Sequence, residues 1–291
     1  MTSSPVPRAA STVLLCRPTT STVPGESFEI YMVKRHGLSD VLGGAFVFPG
    51  GKLDAADDDI ALTNLTDHAC ARADTATWSS AVFAAAIRET FEEAGVLVGL
   101  QGATSAAAQA TLDQLTHLTR DAAAPLPFAA ALKQLDIALD AADLLPWVRW
   151  VTPLGAPKRF DARFFLARLP EGQAPVADAR ETTEGRWITP AEALRLFEHG
   201  ADDEFPLAPP TYKSIEELAR AASLDALFAQ HHGGIPRIVI PLLTADDRGE
   251  KLLALPGDSL HPDKEAALGG ATRLLWQGKR FASIIPASMR S

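Results

Sequence analysis

The sequence predicts an α/β fold, on three observations. Apolar, β-prone runs at residues 10–17, 28–35 and 147–151 read as sheet strands. Between them, residues 81–94 carry Phe83, Ile87, Phe91 and Ala94 at helical spacing, which makes one apolar stripe. Of the 291 residues, 47% are hydrophobic, enough to fill a sizeable core.

Pro18 ends the first strand, and the Thr-, Ser-, Pro- and Gly-rich residues 18–26 make a loop before the strand at 28–35. A short strand at 45–48 runs into Phe48-Pro49-Gly50-Gly51, a turn signal. Residues 54–74 are rich in aspartate and turn formers, with a helix expected at 60–70. Ser79 and Ser80 are both N-cap candidates for the helix at 81–94, and Gly95 suits its C-terminus. Helical patterns at 106–120 and 128–142 are split by Pro125 and Pro127 and read as a helical insertion. Strands are expected at 163–168 and 186–188. Thr189-Pro190-Ala191-Glu192 then opens a helix to His199, with Thr189 as N-cap and Glu192 as its box partner. One amphipathic helix is expected over 214–230. After His231-His232-Gly233-Gly234 come strand-like pieces at 237–243, 251–255, 272–276 and 281–285. The chain thus divides into a catalytic domain, 1–232, and a small extension, 233–291, packed on it.

The chemistry lies in Arg88-Glu89-Thr90-Phe91-Glu92-Glu93-Ala94-Gly95-Val96. Glu89, Glu92 and Glu93 fall at i, i+3 and i+4, on one helical face with roots ~5–6 Å apart. Like charges so close repel unless something positive sits among them. Mg²⁺ and Mn²⁺ prefer carboxylate oxygen and are the natural candidates. The alternative is a solvated acidic face. The order of strand, glycine turn and acidic helix favours a metal-assisted reaction on phosphate.

With U for a bulky apolar residue, Gly51 and the run Arg88 to Val96 resemble the pattern G-x5-E-x7-R-E-U-x-E-E-x-G-U of the Nudix hydrolases. Thr90 stands at the first U, and Asp57 at the first glutamate. Thirty residues, 58–87, separate Asp57 from Arg88 where the pattern has x7. A box split by an insertion resembles the coenzyme A diphosphatase branch, the peroxisomal type and its bacterial relatives. So do Arg159 to Phe165, Pro209-Pro210-Thr211-Tyr212 and Leu255-Pro256-Gly257-Asp258, and the resemblance spans residues 13–258.

The resemblance implies a Nudix-type α/β/α sandwich with a mixed central sheet, a Nudix domain in 1–232 with insertions at about 58–80 and 104–142, and a C-terminal extension. It implies Mg²⁺ or Mn²⁺ held by Glu92, Glu93 and Glu89 with the Gly51 carbonyl, and Arg88 pairing with carboxylates. Glu184, or Glu181, is expected to add an acidic ligand or a general base. Glu89, Glu92, Glu93, Arg88 and Glu184 are thus the expected catalytic set. Asp57 reads equally as part of the box or as a turn aspartate. Arg35, Arg159 and Arg163 are candidates for substrate phosphate. Phe160, Phe46 and Trp187 are stacking candidates, with core packing the alternative for each. The implied reaction is metal-dependent hydrolysis of the pyrophosphate in coenzyme A or acyl-coenzyme A. Alternatives are ADP-ribose, NADH or a nucleotide sugar as substrate, or a non-catalytic nucleotide-binding module.

Composition narrows the partners. A net charge of −9 with no basic block argues against a nucleic-acid partner. No apolar stretch reaches the ~20 residues that span a bilayer, and residues 1–10 lack a signal-peptide core. Two cysteines, Cys16 and Cys70, make no disulfide framework and point to a reducing cytoplasm. The ending Met289-Arg290-Ser291 is not a peroxisomal address. A homodimer is a candidate state.

Overall fold

Alternate residues of the first strand, β1 (Arg8–Pro18), point into two different cores: Val13 and Leu15 into one, Leu14 and Cys16 into the other. Opposite faces of a strand carry successive side chains, so a continuous apolar run marks a strand covered on both sides. The computed structural model describes residues 4–37, 43–66, 77–100, 105–178, 182–201, 204–246, 248–277 and 280–284. Glu181, Cys70 and residues 285–291 lie outside them.

After β1 come β2 (Phe28–Arg35), β3 (Phe46–Val47), β4 (Gly50–Lys52), α1 (Ala56–Thr63), β5 (Leu65–Thr66) and α2 (Ser80–Ala94). The middle of the chain forms α3 (Ser105–Thr116), α4 (Phe128–Gln134), β6 (Leu139–Asp140), β7 (Leu145–Val151), β8 (Phe160–Arg168) and β9 (Thr182–Ile188). Next are α5 (Pro190–His199), α6 (Pro209–Leu218) and α7 (Leu224–His231). The last strands are β10 (Arg237–Val239), β11 (Leu242–Ala245), β12 (Lys251–Ala254), β13 (Arg273–Gln277) and β14 (Arg280–Ile284).

The main sheet has eight strands and is mixed: β1 runs parallel to β8 and antiparallel to β2. Its centre is a fork. β1 pairs with β2 only at Cys16 to Pro18, while Ala10 to Thr12 of the same edge pair with β4. β2 likewise leaves β1 and pairs with β3 through Val33 and Lys34, with β9 on its far edge. The β3–β4 segment fills the gap, fastened by the Val13 N–H to the Pro49 carbonyl at 2.8 Å. Gly50 and Gly51 are thereby held in the cleft of the fork.

Helices α1 to α4 share the core on one face, and α5 to α7 with a four-stranded sheet, β11-β12-β13-β14, share the core on the other. This is the expected α/β/α sandwich. β10 joins the main sheet beside β7. No helix among the described residues is long and apolar enough to cross a membrane.

Four element readings differ. The helix expected at 60–70 begins at Ala56 and ends at Thr63. That expected at 128–142 stops at Gln134, and Asp136 at φ 52° turns the chain toward β6. The single helix expected at 214–230 is two, because Ser223 is extended and caps α7 by accepting from the Ala226 N–H. The strand expected at 237–243 splits around Ile240-Pro241 into β10 and β11, in different sheets. Periodicity alone misses such breaks, since the apolar spacing runs on across them.

Candidate active site

Helix α2 packs its stripe of Phe83, Ile87, Phe91 and Ala94 into the core, all without solvent exposure. Ser79 stands at its N-cap position, and Ser80 is already helical. Ser11 of β1 ties down the first turn, donating from Oγ to the Val82 carbonyl at 2.7 Å. Gly95 closes the other end at φ 68°, the left-handed conformation that suits glycine. With the stripe fixed, the helix turns its acidic face toward the fork.

Glu93 is buried, and its Oε2 accepts from the Gly50 N–H at 2.9 Å. Glu89 sits over Gly51: a Cβ there would lie inside the Glu89 carboxylate. The absent side chain is what lets the two approach. Glu92 is the most open of the three, with a side chain 44% exposed.

Arg88 gathers the cluster. Its NH1 donates to Glu89 and Glu92 at 2.8 and 2.9 Å, and its NH2 to the Lys52 carbonyl at 3.0 Å. Nε and NH2 donate to the two oxygens of Asp57 at 2.7 and 3.0 Å. Burial would lower the Arg88 pKa, but the Asp57 hydrogen bonds and the charges of Glu89, Asp57 and Glu92 carry it above its ordinary value. Asp57 is fully buried and also accepts from the Asp54 N–H at 2.7 Å. The thirty residues between Asp57 and Arg88 therefore leave the box through α1 and return along α2 to close the pair. The offset of Asp57 from Gly51 was the only sequence signal of this.

The other candidates are dispersed. Glu184, on β9 across β2 from β3, is half exposed and 3.6 Å from Arg186. Arg35 ends β2, and its buried Nε has no hydrogen-bond partner among the described residues. Arg159 donates to the carbonyls of Thr152 and Pro5, both at 3.0 Å. Arg163 is buried and committed to the Thr77 and Asp161 carbonyls and the Asp161 carboxylate. Phe160 is partly exposed at the start of β8, whereas Phe46 is buried and stacks on Phe205 with centroids 4.3 Å apart. Trp187 is covered by the Arg17 guanidinium, 4.3 Å from its ring. A residue the sequence did not flag, Arg120, reaches the end of α2. Nothing in its local pattern marks it, because the contact is tertiary.

A family model described as the NUDT19 Nudix domain matches residues 66–218, more than half of the chain. The human acyl-coenzyme A diphosphatase NUDT19 is 31% identical, over 96% of this chain and 88% of its own length. The chain belongs to the NUDT19 family of Nudix hydrolases. The chicken protein of the same name is 29% identical over 81% of this chain and 73% of its own. A crystal structure of a Nudix hydrolase from Alicyclobacillus acidocaldarius shares the fold, with TM-score 0.58, 24% identity, and coverage of 77% of this chain and 96% of that one. The enzyme is thus a Nudix hydrolase on a Nudix fold, and Nudix hydrolases generally use divalent metal ions.

The cluster suits such an ion by its chemistry. Its donors are oxygens of Glu89, Glu92 and Glu93, with neither thiolate nor imidazole among them. Hard oxygen sets of this kind match Mg²⁺ or Mn²⁺. Among the described residues no three acidic, His or Cys side chains converge on one point. Arg88 pairs with both Glu89 and Glu92, and Glu93 is turned to Gly50.

Proposed function

We propose that this Nudix hydrolase cleaves the pyrophosphate bond of coenzyme A or an acyl-coenzyme A, releasing adenosine 3′,5′-bisphosphate and a phosphopantetheine. The observation that carries the reading is the Asp57–Arg88 pair, which rejoins a split box so that Glu89 and Glu93 lie against Gly51 and Gly50. Relatives named acyl-coenzyme A diphosphatase, aligned over most of the chain, support the substrate class.

Glu92, Glu93 and Glu89, with the Gly51 carbonyl, are the proposed holders of Mg²⁺ or Mn²⁺. When bound, such an ion neutralises phosphate oxygens and acidifies water. The chain's own part is geometric. The Gly50 N–H fixes one oxygen of Glu93, and with it the direction of the carboxylate. Arg88 spaces Glu89 from Glu92 while its own charge is anchored by buried Asp57. Hydrolysis puts the water oxygen on one phosphorus and sends the bridging oxygen away with the other phosphate. Glu184 is the proposed acceptor of the water proton. Arg35, whose buried Nε has no hydrogen-bond partner among the described residues, is one of the proposed phosphate contacts. Arg159 and Arg163 would first exchange backbone or carboxylate partners, and Phe160 offers a partly open ring for adenine.

The test is turnover of coenzyme A, acetyl-coenzyme A, ADP-ribose, NADH and a nucleotide sugar with Mg²⁺ or Mn²⁺, followed by product analysis. Coenzyme A species are expected to lead, and Glu93→Gln to lose at least about 100-fold in kcat. Preference for ADP-ribose or NADH refutes the substrate class, and an undiminished Glu93→Gln enzyme refutes the site.

A further inference from the structure

The last turn of a helix leaves its final four carbonyls without partners inside the helix. In α2 these belong to Phe91, Glu92, Glu93 and Ala94, the turn that carries two of the three glutamates. Three separate stretches of chain meet them. Gly95 donates its N–H to Phe91 at 2.8 Å. The loop after β8 donates from Val176 to Ala94 at 2.8 Å and from Asp178 to Glu93 at 3.0 Å. One nitrogen of Arg120 donates to Phe91 and Glu92, at 2.7 Å each.

Arg120 belongs to a π-helical turn, His117–Asp121, that ends α3 inside the helical insertion. Such turns widen the helix and re-aim its side chains, and they recur at functional sites. Its guanidinium also lies 5.4 Å from the centre of the Phe91 ring, which in turn stacks on Phe128 of α4 with centroids 5.2 Å apart. The insertion is therefore built around the end of α2. The electrostatics give a reason. Carboxylates at a helix C-terminus face the negative end of its dipole, and α2 has no basic residue in its own last turn. Arg120 supplies the missing cation from outside.

We propose that Arg120 is a positioning residue for hydrolysis: from the inserted segment it locks the last turn of α2, and so fixes Glu92 and Glu93 against the Gly50-Gly51 bend. The inference rests on the proposed role of those glutamates. Because the contact is to the backbone of the turn itself, its loss lets the turn rotate or fray, and both carboxylates move with it. Supporting contacts one step behind a metal ligand typically change affinity or activity by about 10- to 100-fold.

The experiment measures Mn²⁺ affinity by electron paramagnetic resonance without substrate, alongside kcat, KM and thermal unfolding, for the full chain and for Arg120→Ala, Arg120→Gln and Glu93→Gln. Arg120→Ala is expected to bind Mn²⁺ about 10-fold or more weakly and to lose kcat by a similar factor, with KM for substrate little changed. A lower melting temperature with unaltered Mn²⁺ affinity and kcat would mean Arg120 is merely structural, and overturns the proposal. Should Arg120→Ala fail to fold, Arg120→Gln decides: its uncharged amide ends two bonds short of the nitrogen that reaches the Phe91 and Glu92 carbonyls, so parental Mn²⁺ affinity in it overturns the proposal equally. Glu93→Gln separates the layers. If it keeps full Mn²⁺ affinity, the site assignment itself falls. If it loses affinity while Arg120→Ala does not, only the clamp falls.

Discussion

Replacing Asp57 by alanine tests the split box directly. All five N–H groups of the Arg88 guanidinium are used: two on Asp57, two on Glu89 and Glu92, one on the Lys52 carbonyl. Asp57→Ala removes two of these in a place without solvent exposure. Hydrogen bonds between charged groups contribute roughly 1.5–3 kcal/mol each. The loss therefore comes to ~3–6 kcal/mol, which overlaps the ~3–5 kcal/mol for breaking a buried ion pair by deleting one member. Arg88 does not escape by losing its proton, since a guanidinium stays charged in proteins even without its carboxylate partner. Asp57→Glu restores the residue of the general Nudix pattern, yet adds a methylene where there is no room, at roughly 1–3 kcal/mol. Urea denaturation monitored by tryptophan fluorescence measures both, with kcat determined in parallel. Asp57→Ala is expected to be the less stable of the two and to lose activity even where it remains folded. An Asp57→Ala protein within about 1 kcal/mol of the parent, at full activity, would show that the two halves of the box do not depend on this pair.

Gly51→Ala puts a methyl group into the Glu89 carboxylate, a flexible neighbour, so kcat is expected to fall about 10-fold or more while urea stability changes little. Gly50→Ala meets the Ser11 carbonyl and the Thr12 Cα at φ 155°, so it is expected to cost at least about 1–3 kcal/mol of stability in the same assay. Asp258, fully buried and paired with Arg273 at 2.7 Å, keeps its pKa below the ordinary value: burial raises it, but the Arg273 and Leu260 hydrogen bonds outweigh burial. Its contribution is thus present above the unfolded value of about 3.9 and lost as pH falls through the lower folded value, so the stability deficit of Asp258→Asn should persist at pH 5 and shrink only below about pH 4. The Cys16 thiol is buried and pushed up to about 12, so alkylation at pH 8 mapped by mass spectrometry should label it only on unfolding.

Local rules made much of this fold legible. The cap of α5 lies where Thr189-Pro190-Ala191-Glu192 indicates, with the Thr189 side chain accepting from the Glu192 N–H at 3.2 Å. Strand β2 spans the apolar run 28–35, and Gly95 ends α2. Each of these depends on residues a few positions apart. The features that stayed hidden depend on distant ones. The break between α6 and α7 interrupts an apolar period that itself continues. The fork that holds Gly50 and Gly51 needs β1 and β2 to diverge, which neither strand encodes alone. At the site, the acidic triplet was visible as spacing on one helix. The choice between box member and turn residue for Asp57 was not, because its partner lies 31 positions away.

The two proposed insertions take on a common meaning at the acidic helix. Three carboxylates on α2, two in its last turn, oppose both one another and the helix dipole. The fold answers from both insertions. The first lets Asp57 seat Arg88 among the glutamates, and the second delivers Arg120 to the helix end. Asp57, Glu89, Glu92 and Glu93 bring four carboxylates, against the Arg88 guanidinium among them and the Arg120 guanidinium at the backbone of the turn, so the cluster stays formally negative. Arg120 shares the holding of that turn with the Gly95, Val176 and Asp178 N–H groups. At the proposed metal site, that residual negative charge, on a turn held by these contacts, would attract a divalent ion.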